Sequence, residues 1–183
     1  MSQYTVGQSA LAHALFSDKR SAWFWLIIRL YLGYEWTMAG WEKVTSPAWV
    51  GENAGAGLTG FLGGALKKTS EFCQPAPAAC HPDVQMWYAW FVENVALPNA
   101  AIFSYMVAYG ELLVGIALIL GFLTGVSIFF GMFMNLNFML AGSVSINPIW
   151  FTLGLGLLFA WRVSGYIGLD RYVLPIVSKS LRR

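Results

Sequence analysis

Six residues carry most of the chemistry this sequence can offer inside an apolar setting: Glu35, Trp36, Lys43, Trp49, Asn135 and Asn137. The first three sit in "RLYLGYEWTMAGWEKV", residues 29–44, a stretch otherwise apolar enough to lie in lipid. A carboxylate in hydrocarbon is costly and can exchange protons, so Glu35 is the candidate proton carrier. Trp36 offers an aromatic wall for a flat ligand. The amides of Asn135 or Asn137 would hydrogen-bond a ligand oxygen. Lys43, with Trp49 just beyond it, would attract a small anion at the mouth.

Three further charges, Arg29, Glu111 and Arg162, fall in separate apolar stretches. Counting ~1.5 Å per residue from the expected helix ends puts all three at one depth. Burying an isolated ion costs several kcal/mol, so a paired Arg29–Glu111–Arg162 cluster is expected, as architecture or as part of a site. The same count sets Glu35 level with Asn137. The plainer reading of such groups is that charges pin helix register and asparagines join helices.

Cys73 and Cys80 are the only cysteines, in "CQPAPAAC". Outside a membrane, an even count favours a structural disulfide. A thiol-oxidising site would instead be expected to show C-x-x-C. His13 and His81 are the only histidines and both fall outside the apolar stretches, so neither a bis-histidine haem nor a metal site is expected. No G-x-G-x-x-G follows a strand pattern, which argues against a flavin or nucleotide domain.

Composition says what must hold these residues. Of 183 residues 57% are hydrophobic and 11% charged, against roughly 25% charged in a soluble domain. The expected fold is an all-α integral membrane protein, an antiparallel bundle of four transmembrane helices. Spans are placed at about 21–43, 99–122, 123–143 and 147–166, each near the ~20 residues that hydrocarbon requires. Residues 1–20 form an amphipathic lead-in, 44–98 a long outer loop and 176–183 a basic tail. Within the loop, "GLTGFLGGALKKT" and the aromatic "VQMWYAWFVENVALP" read as short interfacial helices that roof the bundle or anchor it to headgroups. Lys19 and Arg20 precede the first span, while Arg171, Lys179, Arg182 and Arg183 follow the last. By the positive-inside rule both termini are cytoplasmic in a multi-pass cell-membrane protein. The net charge of +2 suggests no nucleic-acid partner.

The stretch "RLYLGYEWTMAGWEKV" followed by "PAW" resembles the first-helix signature of the DoxX family. "GELLVGIALILGFLTG", "MNLNFMLAGS" and "GLDRYVLP" resemble later parts of it, and "GLTGFLGGAL" resembles the branch holding the DoxD-type small subunit of thiosulfate:quinone oxidoreductase. The resemblance implies a membrane subunit that oxidises thiosulfate or a related sulfur anion at the outer face. Quinone would be a diffusible co-substrate, with no covalently bound cofactor. A quinone would stack on Trp36, exchange protons with Glu35 and bond Asn135 or Asn137. A partner subunit or a homo-oligomer is expected alongside the lipid bilayer. Other readings are a non-catalytic accessory or assembly subunit, a small proton-coupled transporter, and a thiol-oxidising enzyme.

Overall fold

The computed structural model describes residues 9–73 and 82–180, and is helical nearly throughout. In chain order the helices are α1 (Ala10–Phe16), α2 (Ala22–Val44), α3 (Ala56–Leu66), α4 (Ser70–Cys73), α5 (Met86–Phe91), α6 (Ala100–Leu120), α7 (Thr124–Leu140), α8 (Asn147–Phe159), α9 (Trp161–Ser164) and α10 (Asp170–Ser180). Helices α2, α6, α7 and α8 occupy the four long apolar stretches. The last stretch is broken at Ala160, where α8 gives way to the four-residue α9.

By length and composition alone, α6 is the helix among the described residues that can cross a membrane. Helix α2 is longer but carries four charges, and α7 and α8 have 17 and 13 residues.

Helices α2 and α6 form the spine. Glycines set their register: a Cβ on Gly40 would strike the Leu112 backbone, and one on Gly115 would strike the Thr37 backbone. Only residues without side chains allow two helix backbones to come that close. Gly33 faces Ile119, so the pair runs antiparallel. Leu32, Leu118, Ile128 and Leu157 are fully buried where α2, α6, α7 and α8 converge.

At the other end of α6, Gly121 takes a left-handed conformation (φ 63°) and turns the chain into α7. Leu123 follows at φ 45°, a region that L residues enter at a cost of about 1 kcal/mol or more. The Asp170 carboxylate compensates, accepting Leu123 N–H at 2.6 Å and Thr124 N–H at 2.8 Å as the cap of α7.

The expected loop helices form a second core rather than a loose surface layer. Leu58, Leu62, Tyr88, Val92 and Ala96 are buried together. Hydrogen bonds among the described residues fasten this roof to the bundle, the shortest of them from Ser104, Lys68 and Tyr88. Ser104 Oγ donates to Trp49 O (2.7 Å), Lys68 Nζ to Gly142 O (2.6 Å) and Tyr88 Oη to Asn137 O (3.0 Å).

Candidate functional site

At the Lys43 end of the bundle, Lys43 reaches across from α2 to Glu111 on α6. Its Nζ lies 2.7 Å from Glu111 Oε2. The carboxylate side chain is 2% exposed and the lysine side chain 21%, so the pair is sealed on the glutamate side and open on the lysine side. The ammonium also lies 5.2 Å from the centroid of the Trp49 ring. Trp49 is held in turn by packing against Gly57 of α3 and by the bond from Ser104.

This pairing replaces the expected Arg29–Glu111–Arg162 cluster. The first two turns of α2 run past the end of α6, so Arg29 lies against Gly121, while Gly40 lies against Glu111. Matching depths from helix ends assumed no such stagger. Arg29 is fully buried and donates to two carbonyls, Ser164 O (2.8 Å) and Ile167 O (2.7 Å). It lies in the field of Asp170, and together the two bind the 164–170 segment to the α6–α7 turn. Arg162 is exposed and stacks over Trp161, with 5.0 Å from Cζ to the ring centroid.

Between α6 and α7, beneath α3 and α5, lies a cavity of about 620 Å³. Nearly all of its wall is apolar. It opens sideways between the helices, because Met106, Leu113, Phe130 and Phe133 line it and are each more than half exposed on the outer surface. Its polar side chains are Tyr88 and Asn137 at the roof and Ser127 lower down. Ser127 and Asn137 are separated by ten residues of α7, or about 15 Å of helix. Tyr88 is 4% exposed, and its hydroxyl bonds both the carbonyl (3.0 Å) and the side-chain oxygen (3.3 Å) of Asn137. Burial pushes the Tyr88 phenol up to about 12, so it stays a neutral donor.

The structure disperses the residues expected to share one ligand. Trp36 is buried in the core, its ring centroid 6.4 Å from that of Phe138 and 6.0 Å from that of Trp150. It does not line the cavity. Asn135 and Asn137 are two positions apart on a helix and point about 200° apart. Asn135 is buried, donating to Asn147 Oδ1 at 2.9 Å, whereas Asn137 faces the cavity. Glu35 is half-buried, has no hydrogen bond or ion pair among the described residues, and does not line the cavity. The expected Cys73–Cys80 disulfide falls outside the described residues.

Tyr88 was missed among the aromatics of the loop. A signal was present: Val84, Tyr88, Val92 and Ala96 recur every four residues, one face of a helix, and Tyr88 alone on that face carries a hydroxyl.

A family model for DoxX matches residues 24–143. The chain belongs to the DoxX family. DoxX is a membrane family, which accounts for the many large apolar side chains exposed on α2, α6, α7 and α8. The matched segment runs from α2 to just past α7 and so contains both the Lys43–Glu111 pair and the cavity of this DoxX chain. Neither a curated protein nor a solved structure matches it.

Proposed function

We propose that this DoxX protein is the four-helix membrane subunit of a quinone-linked oxidoreductase, with quinone bound in the cavity between α6 and α7. The cavity carries the proposal: an apolar slot open to the side, long enough for a ring and part of an isoprenoid tail, with hydrogen-bonding groups at one end. Helices α2, α6, α7 and α8 each expose large apolar side chains, among them Ile27, Ile102, Phe129 and Phe159, which supports lipid around all four. In this reading both termini are cytoplasmic and the Lys43 end is the outer one.

The quinone ring lies under the roof, where the Tyr88 hydroxyl exchanges its bond to Asn137 for one to a quinone oxygen, and the Asn137 amide, which donates to Phe133 O at 2.8 Å, stays anchored to its own helix. Lys43, half-open to the outside and braced by Glu111 and Trp49, draws in a small sulfur anion of the thiosulfate class. Two thiosulfates joining as tetrathionate release two electrons, and a quinone taking up those electrons and two protons becomes the quinol. The branch with the DoxD-type subunit points to this donor. Glu35 has no described link to the cavity, so its proposed proton exchange serves delivery from outside the slot rather than ligand contact.

A short-chain quinone added to purified protein tests this through quenching of tryptophan fluorescence. Saturable quenching that Val107→Trp, which fills the slot, weakens at least about tenfold supports the reading. Unsaturable quenching, equal in both proteins, sinks it.

A second reading, a non-catalytic accessory subunit, is favoured by one observation: Arg29, Lys43, Glu111 and Asp170 all fasten elements together. Co-purification with a partner that survives loss of quinone binding would favour it.

A further inference from the structure

Arg162, in the four-residue α9 that follows the apolar α8, has no acidic partner among the described residues. Its guanidinium lies over Trp161, and Trp161 forms the rim of a second groove, of about 510 Å³, between α7, α8 and α10. Val126, Phe129 and Phe130 make one wall of that groove and Leu158 and Leu174 the other. Val126, Phe129 and Phe130 are each about half exposed, so the groove opens to the surroundings of the bundle. The wall runs from Leu123 to Phe130, about 10–12 Å along α7, close to the depth of one leaflet's hydrocarbon.

The most exposed charges at this end, Lys19, Arg20, Arg162 and Arg171, are basic. Lys19 and Arg171 approach the same ring, Tyr166, at 5.1 and 5.5 Å, and neither has an ion pair among the described residues. Asp18 accepts from Arg20 N–H; Asp170 lines the groove itself but is 2% exposed, with both carboxylate oxygens occupied by the N–H groups of Leu123 and Thr124. An apolar groove whose one carboxylate is sealed, with an unpaired guanidinium stacked on its rim tryptophan, fits a ligand with an acyl chain and a phosphate.

We propose that the groove binds one anionic phospholipid of the cytoplasmic leaflet, its chain along Phe129 and Phe130 and its phosphate on Arg162. Placing this end in the cytoplasmic leaflet rests on the topology proposed above, but not on quinone. Leu123, Val126 and Phe130 form a wall shared with the first cavity, whereas Phe129, Leu158, Trp161 and Leu174 line this groove and not the first.

The test is lipid retention by the full chain, purified in detergent and titrated with phosphatidylglycerol or phosphatidylcholine of the same acyl chains, read by native mass spectrometry. Wild type is expected to keep one phosphatidylglycerol in preference to phosphatidylcholine. Arg162→Gln should lower that preference roughly fivefold, the weight of one basic residue near an anionic headgroup. Lys19→Gln removes the same charge at the same end but not from the groove, and should change it less than twofold. Phe129→Ala should weaken both lipids together. Equal retention of the two lipids by wild type, or equal losses in Arg162→Gln and Lys19→Gln, would overturn the site. Glycerol phosphate competing as well as the lipid would reassign it to a free phosphate. Quinone quenching measured on the same samples separates this outcome from failure of the functional reading.

Discussion

Lys43 Nζ and Glu111 Oε2 meet at 2.7 Å across α2 and α6, one turn from the backbone contact at Gly40. The glycine contact fixes the register and the register makes the pair. A side chain at position 40 would push the helices apart and separate the charges, so packing and electrostatics here depend on each other.

Removing one partner should therefore cost more than removing both. Glu111→Gln leaves the amine facing a buried amide. We expect a loss of about 3 kcal/mol, the low end for a broken buried pair because Lys43 keeps some contact with solvent. The double variant Lys43→Met, Glu111→Leu should recover more than half of it. Thermal unfolding in one detergent measures both, and a single variant as stable as wild type would show that the pair is not buried as described.

Two glycine substitutions should act with opposite sign. Gly40→Ala drives a Cβ into the Leu112 backbone and should lower the unfolding midpoint by several degrees. Gly60→Ala, in α3 with open space around it, should raise stability by about 0.5–1 kcal/mol through the restricted unfolded chain. Equal effects would contradict the close α2–α6 approach.

Asp170→Asn weakens the cap that lets Leu123 sit at positive φ, and should cost about 1–2 kcal/mol. Adding Leu123→Gly relieves the backbone strain and should return part of the loss. If Leu123→Gly destabilises the Asp170→Asn protein further, the α6–α7 turn is not built this way.

Tyr88→Phe removes one hydroxyl and leaves the cavity's shape intact. Quinone affinity should fall about tenfold, the scale of one buried hydrogen bond, and stability by about 1 kcal/mol as the bond to Asn137 is lost. Unchanged affinity would move the ligand away from the roof.

Helix positions were legible in the sequence because apolar length and turn glycines are local signals. The α2–α6 stagger was not, because it is set by contacts between Gly40 and Leu112 and between Gly115 and Thr37, which no single helix displays. That one offset explains why Glu111 meets Lys43 and not Arg29. Arg29's partners are carbonyls at Ser164 and Ile167, groups every residue possesses, and so carry no sequence mark. Asn135 and Asn137 could have been separated beforehand, since positions two apart on a helix cannot share a face. The roof was visible as amphipathic segments, but its attachment through Tyr88, Lys68 and Ser104 was not.

The central claim is that quinone occupies the slot between α6 and α7 rather than the surroundings of Trp36. A photoreactive quinone analogue, cross-linked to the purified chain and mapped by peptide mass spectrometry, tests it directly. Adducts are predicted on Met106 and Met134, at the cavity wall, and should disappear when Val107→Trp fills the slot. Adducts concentrated on Trp36 or Trp150, or adducts that survive Val107→Trp undiminished, would contradict it.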